Sequence, residues 1–340
     1  MATINTLSSI RTNTPGLSNE KIDNNILLRA LAYAMQDHVL YNTGKKQDVK
    51  RNAGTNTVQW RGYKPLPVAT NRHVITEGVN PEGMKVGART VTGSVAVYGA
   101  YIEVTRQVES YNLDQLLVEY GPLITNHAAE TLELVTRDAI EEDAGTFYVV
   151  PAGTTSPSED SITKDDILTL DVCRQVANQM KVSRRRGHEK ANFSRYLVVT
   201  STEGMQDLLD DETLLKRAMI PGNTNKPVMD NGLESYDVYN LRFIEYNYPV
   251  IQENKSNVSV YHTYVFGENA YAVMNLASAG IEMKRFGFEA RPGDNLGQIA
   301  SLGWITMGFG AKVLDPVACT VISHAVSNPL TRPTDIYAAQ

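Results

Sequence analysis

Apolar residues recur along this chain in two rhythms, and the change from one to the other divides it. Over residues 25–41, Ile26, Leu27, Ala30, Leu31, Ala34 and Met35 stand three and four apart, which predicts a helix with one apolar stripe. The clearest stripe falls on residues 112–143, where Leu113, Leu116, Leu117, Tyr120, Ile124, Ala128, Leu132, Val135 and Ala139 share a face. A helix of that length reaches about 45 Å at ~1.5 Å per residue. Gly121-Pro122 predicts a kink, or the separation of its first two turns.

Between these helices the rhythm is alternation. In TNTVQWRGYKPLPVAT, Val58 and Trp60 alternate with polar residues, and Pro65 and Pro67 forbid helix. A loop rich in Gly, Pro and charge follows, ITEGVNPEGMKVG. In ARTVTGSVAVYGAYIEVTRQVE, Ala96, Tyr98, Ala100, Ile102 and Val104 mark one face and Val91, Val95, Val97 and Tyr101 the other. The pattern predicts a two-stranded ribbon about 50 Å long, against ordinary strands of roughly 5–6 residues. Two strands alone have too little core to be stable in water, so the rest of the chain or another copy of it must cover them. Val58, Trp60, Tyr63, Tyr98 and Tyr101 are therefore the candidate intersubunit contacts.

The remainder mixes types. Residues 163–182 predict an amphipathic helix with Thr163 as N-cap and Asp166 in the capping-box position. RYLVVTS reads as a buried strand leading into a helix, TEGMQDLLDDETLLKRA; NLRFIEYNYPVI and SVYHTYVFGENAYAVMNL read as further strands. The tail, ASLGWITMGFGAKVLDPVACTVISHA, alternates and predicts returning strands. An α/β unit of about 140 residues, inserted between two halves of a first domain, is the organisation this implies.

Composition narrows the function. With 32 basic and 38 acidic residues the net charge is −6, which disfavours avid binding of nucleic acid. No apolar run approaches the ~20 residues of a membrane span, and MATINTLSSIRTNTPGLSNE lacks the apolar core of a signal peptide. Cys173 and Cys319 stand far apart among apolar neighbours, which predicts core thiols and no structural disulfide.

Motifs for chemistry fail on their spacing. Gly78 to Lys85 nearly matches a phosphate loop, but the lysine is one place late, no hydroxyl follows and Pro81 interrupts. Gly308 to Val313 keeps two glycines of a dinucleotide fingerprint without its context and reads as a strand with a bend. His188-Glu189 opens a zinc-helix pattern that Asn192 closes, and the six histidines are scattered. Adjacent carboxylates such as Asp165-Asp166 face different ways. The single basic run, Arg184-Arg185-Arg186, reads as a solvated helix end, with contact to phosphate or to a neighbour's acidic surface as the alternative. No catalytic, metal or cofactor-binding residue is assigned, and no cofactor is expected.

Several segments, in order, resemble the major capsid proteins of coliphage N4-type tailed phages. They are LLRALAYAMQDHVLYNTG, GTNTVQWRGYKPLPVAT, ITEGVNPEG, VAVYGAYIEVTRQVE, HAAETLELVTRDAI, RYLVVTSTEGMQDLLDDE, YVFGENAYAVMNL and GWITMGFGAKVLDP. The resemblance spans roughly residues 27–316, and its force lies in order and spacing. It implies the α+β HK97-like capsid fold, with an N-terminal arm, an extended β-hairpin loop, a spine helix in a peripheral domain and an inserted α/β axial domain. On this chain that predicts an arm over 1–24, a helix and connection over 25–50, and extended loop and strands over 51–108. A peripheral domain would take 109–148 with 290–330, and an axial domain 149–289.

The function implied is a structural shell subunit, not an enzyme, in the virion capsid and assembled in the host cytoplasm. Its partners would be many copies of itself as hexamers and pentamers, a separate scaffolding protein, a portal and decoration proteins. Packaged double-stranded DNA would be touched only weakly and without sequence preference, and no membrane is involved. An encapsulin-like nanocompartment shell is the alternative within the fold, and an α/β hydrolase-type enzyme the alternative outside it.

Overall fold

The computed structural model describes residues 29–31, 38–49, 56–63, 66, 77–78, 83–111, 116–151, 153–188, 195–210, 228–230, 233–238, 240–276, 281–290 and 292–330. The expected arm, residues 1–24, lies outside them. Helix α1 (Val39–Thr43) and strand β1 (Lys45–Val49) come first, then β2 (Thr57–Tyr63), β3 (Ala88–Ser94) and β4 (Ala96–Thr105). Helices α2 (Arg106–Tyr111) and α3 (Leu116–Asp143) lead to β5 (Gly145–Tyr148), α4 (Leu170–Val182), β6 (Tyr196–Ser201) and α5 (Thr202–Asp210). Strands β7 (Val228–Asp230), β8 (Leu233–Val238), β9 (Leu241–Tyr246), β10 (Ile251–Glu253) and β11 (Ser259–Phe266) follow. Last come β12 (Tyr271–Leu276), β13 (Ile281–Phe286), β14 (Ile299–Val313) and β15 (Cys319–His324).

The first sheet is built on β14, the longest described strand. β4 lies antiparallel along one side of it, from Thr105 opposite Ile299 to Ala96 opposite Phe309. β13 and then β12 line the other side, and β1 joins β12 in parallel. The Gly308–Val313 segment is strand, as its glycines suggest, with a register shift between Thr306 and Phe309.

Helix α3 lies on this sheet because its stripe has the helical period. Ile124, Ala128 and Ala129 meet Met283, Leu302 and Trp304, and further along Leu132 and Ile140 enter a second cluster. The helix is continuous through Pro122, so its first two turns are not split off as the alternative to a kink would have had it. Pro122 sits near its start, where it removes a single hydrogen bond, and Thr125 Oγ1 donates to the carbonyl of Pro122 at 2.7 Å.

The second sheet has eight strands, in the order β5-β15-β11-β6-β9-β8-β7 with β10 beside β11. β6 is buried along its whole length, as its unbroken apolar run requires. Tyr196 and Val198 face α4 and α5, while Leu197 and Val199 face the cluster that holds Leu132 and Ile140 of α3. That cluster also contains Tyr271, Val273 and Phe309 of the first sheet, so the two sheets share one core.

Three sequence expectations are corrected here. The helix expected over 25–41 is interrupted: residues 29–31 are helical, but His38 is extended (φ −94°, ψ 115°) and α1 starts after it. The helix expected from Thr163 starts at Leu170. Asp166 Oδ2 does accept from Thr163 N and Oγ1, both at 2.7 Å, but the bonds close a local turn, and Thr169 is the cap, accepting from Val172 N. Finally, the sheets do not divide at residues 148 and 290. The second sheet takes β5 and β15 from the flanks and gives β12 and β13 to the first. The chain crosses from the second sheet to the first just before Tyr271 and back again after Val313, and the Ala270 carbonyl, accepting from both Leu314 N and Asp315 N, ties the two crossings together.

Candidate assembly surface

Strands β2 and β3 form a two-stranded sheet that joins neither larger one, in register from Thr57 opposite Ser94 to Tyr63 opposite Ala88. The ribbon is thus shorter than the alternation predicts. After Ser94 the chain passes at Val95 into β4, which belongs to the first sheet. Val95 N donates to Asn56 O at 3.0 Å, so residues 56 and 95 close the stem of the ribbon.

The root of the ribbon is stapled to the first sheet. A Cβ added at Gly93 would stand 2.7 Å from the Met274 methyl and 3.0 Å from the Trp60 ring, so the indole packs directly over this glycine. A Cβ at Gly310 would meet the Ser94 carbonyl oxygen at 2.4 Å. The backbone contact at Gly310 admits only glycine, whereas a side chain at Gly93 would displace the flexible end of Met274. Asp315 ties the other end of β3 to the body as well, pairing with Arg89, which stands opposite Gly62, at 3.5 Å and with Arg185 at 2.7 Å.

These contacts sort the five candidates. Val58 and Trp60 are half-buried at the root. Tyr63, at the other end of β2, is 73% exposed. On β4 the faces divide as alternation demands: Tyr98, Ala100 and Ile102 pack on the core with α3, while Val97 (60% exposed) and Tyr101 (70%) face outward. Tyr98 is therefore moved off the surface, its ring edge-on to Phe309 at 6.4 Å and 73°. The structure leaves Tyr63 and Tyr101 uncovered, with Val86, Met84 and Val97 as further exposed apolar side chains of this region. Val97 was missed although its alternation with Tyr98 was visible, because both faces of β4 are apolar.

Buried polar groups in this region hold structure. Glu133 of α3 accepts from the backbone N–H of Leu40 and of Tyr41, each at 2.8 Å, and so caps α1 from a distance. Burial pushes its carboxyl up to about 7, against the pull of those N–H groups. Tyr271 donates to Leu40 O at 2.7 Å and completes the joint. His324, fully buried between Thr263 Oγ1 and the Ala325 carbonyl, is lowered to about 4 by that burial. Glu141 accepts from the Tyr264 hydroxyl at 2.7 Å and stands 2.9 Å from His262 Nδ1. Among the described residues no three His, Cys, Asp or Glu side chains are placed to hold a metal ion, and no helix is long and apolar enough to cross a membrane. Cys173 and Cys319 are buried thiols in separate clusters.

No protein-family model and no curated protein matches the sequence. The fold is similar to several solved structures. The capsid of Ralstonia phage GP4 matches with a TM-score of 0.63 at 12% identity, over 85% of this chain and 89% of that one. The capsid of cyanophage Pam1 matches with a TM-score of 0.64 at 9% identity, over 86% and 93%. The SrpI encapsulin of Synechococcus elongatus matches with a TM-score of 0.51 at 10% identity, over 97% and 99%. With its long helix on a sheet built around β14, its second α/β sheet and its separate ribbon, the chain has the HK97-like capsid fold.

Proposed function

We propose that this chain is the major capsid subunit of a tailed phage of the coliphage N4-like type, and that its function is to assemble with copies of itself into the head shell around double-stranded DNA. The observation that carries this is the ribbon. On a fold similar to phage capsids, it presents Tyr63 and, at its continuation on β4, Val97 and Tyr101, without cover from the protomer. Aromatic and aliphatic side chains exposed together mark a surface that another protein buries. A neighbouring copy supplies that cover in every subunit at once, and a non-reciprocal contact repeated around a ring closes into hexamers and pentamers.

In this reading α3 is the spine helix and the first sheet belongs to the peripheral domain. The second sheet with α4 and α5 is the axial domain. The protein has no catalytic role, resides in the virion capsid and assembles in the host cytoplasm. Its further partners are a separate scaffolding protein, a portal and decoration proteins. DNA is met weakly, since a wall of net charge −6 per chain does not hold phosphate tightly. Negative-stain microscopy of the purified protein should show shells, hexamers or pentamers. A protein that stays monomeric at every concentration contradicts the proposal.

The encapsulin-like reading is favoured by one observation, the near-complete mutual coverage with the SrpI shell. Particles that co-purify with an enzyme and without portal or scaffolding protein would establish it instead.

A further inference from the structure

A groove of about 620 Å³ lies where the ribbon meets the turn after α4. Among the described residues six cationic side chains line it, Lys45, Arg61, Arg89, Arg184, Arg185 and Arg186, against two carboxylates, Glu268 and Asp315. Asp315 is committed to Arg89 and Arg185. Among the described residues Lys45, Arg61, Arg184 and Arg186 form no ion pair. Trp60 lines the same groove, and its indole N–H, a donor only, is buried without an acceptor.

The backbone beneath the three consecutive arginines is held in place. Arg184 adopts φ +58°, which an arginine takes only at a cost. The turn is fixed by Arg184 N donating to Lys181 O, Arg185 N to Met180 O and Glu268 N to Arg186 O. With the backbone of the turn set, the exposed guanidinium groups of Arg184 and Arg186 stand in one groove with Arg61, and such a cluster suits oxyanions. Its size decides which. A cavity of this volume fits a few side chains, as small-ligand pockets do, and excludes a DNA duplex whose major groove alone is about 12 Å wide. The described lining of the groove carries four more cations than carboxylates, while the chain as a whole has 38 acidic residues against 32 basic and a net charge of −6. A second copy therefore offers the complementary charge.

We propose that this groove receives a carboxylate-bearing segment of a second copy of this chain. The inference rests on the shell-subunit reading and deepens it. Because Arg61 and Arg89 belong to the ribbon and Arg184–Arg186 to the body, the incoming carboxylates bridge the two and fix the angle of the ribbon when the neighbour docks.

The test uses particles assembled from equal amounts of unlabelled and heavy-nitrogen-labelled full chain, treated with a carbodiimide, which joins amines to carboxylates in contact. Lys45 supplies one amine, and Arg186→Lys supplies a second. Mixed heavy–light peptides joining either lysine to Asp or Glu are expected. In parallel, Arg61→Gln with Arg186→Gln should lower particle yield about tenfold at an unchanged melting temperature. Particles in which both lysines couple only within one chain overturn the inference, as does an unchanged yield. Stoichiometric binding of a single-stranded oligonucleotide, lost in the double variant and without heavy–light products, overturns it in favour of phosphate. A wild-type chain that forms no assembly at all overturns the shell reading beneath it.

Discussion

At the scale of single residues, the protomer separates side chains that hold the fold from side chains that await a neighbour. Tyr63 and Tyr101 are mostly exposed, so replacing either with Ser removes little that the isolated chain uses. Tyr63→Ser and Tyr101→Ser should leave the melting temperature within about 2 °C and reduce particle yield. Comparing the two readouts for each variant checks this; a loss of melting temperature matching the loss of particles would return these tyrosines to the core. Glu133 and His324 belong to the other group, and they respond to pH in opposite senses. A carboxyl raised from 4.5 to about 7 contributes stability that is full below about 4.5 and lost as the pH rises through about 7. An imidazole lowered from 6.5 to about 4 contributes stability that is present above 6.5 and lost as the pH falls through about 4. Each effect is on the order of 3 kcal/mol, so in the wild type they offset one another between pH 4.5 and 6.5. Relative to wild type, Glu133→Gln should lose stability on acidification across that window and His324→Asn should gain it. Melting curves taken through the window decide the matter, and variants that both track the wild type would show that neither group titrates as its burial implies.

At the scale of elements, the long helix gives the sharpest expectation. Leu132 sits mid-stripe and is buried between α1 and the two sheets. Leu132→Asp should prevent folding, because an unpaired carboxylate there costs about 3 kcal/mol or more, out of the roughly 5–15 kcal/mol by which domains are stable. A soluble variant with wild-type circular dichroism would show that the stripe is not a core face. The helix was legible because its stripe repeats over many turns. The ribbon was legible in kind but not in extent. Alternation runs from Val91 to Val104 without a proline, and Thr92 and Ser94 fit its polar positions, so nothing in the rhythm marks Val95 as the place where one strand leaves the ribbon and the next enters a sheet. Gly93 and Gly99 carried the missing signal. A Cβ at Gly93 would strike Met274, and one at Gly99 would stand 2.8 Å from the Trp304 carbonyl oxygen. The start of α4 was displaced because Thr163-x-x-Asp166 satisfies a capping pattern locally, while Ile167 pairs with Ala325 in an extended conformation. The groove could not be read from sequence, since Arg184-Arg185-Arg186 gains its meaning only where Arg61 and Arg89 arrive from the ribbon.

At the scale of the whole molecule, one shared core joins two sheets, and the ribbon packs against the first without pairing with a strand of either. Chain order alone suggested an insertion with clean ends. The strands instead exchange across Ala270 and Leu314, which couples the sheets and leaves the ribbon as the separable part. Removing residues 56–103, the extent expected from alternation, would delete β4 and with it Tyr98, Ala100 and Ile102 from beneath α3. The stem bond between Asn56 and Val95 marks the better cut. A chain in which residues 57–94 are replaced by a short Gly/Ser linker keeps every described strand of both sheets and loses β2 and β3. The most direct measurement is the fraction of this folded variant that sediments as particles, beside the wild type under the same assembly conditions. The account predicts a melting temperature close to that of the wild type and no closed particles. Closed shells built by the ribbonless chain would contradict it.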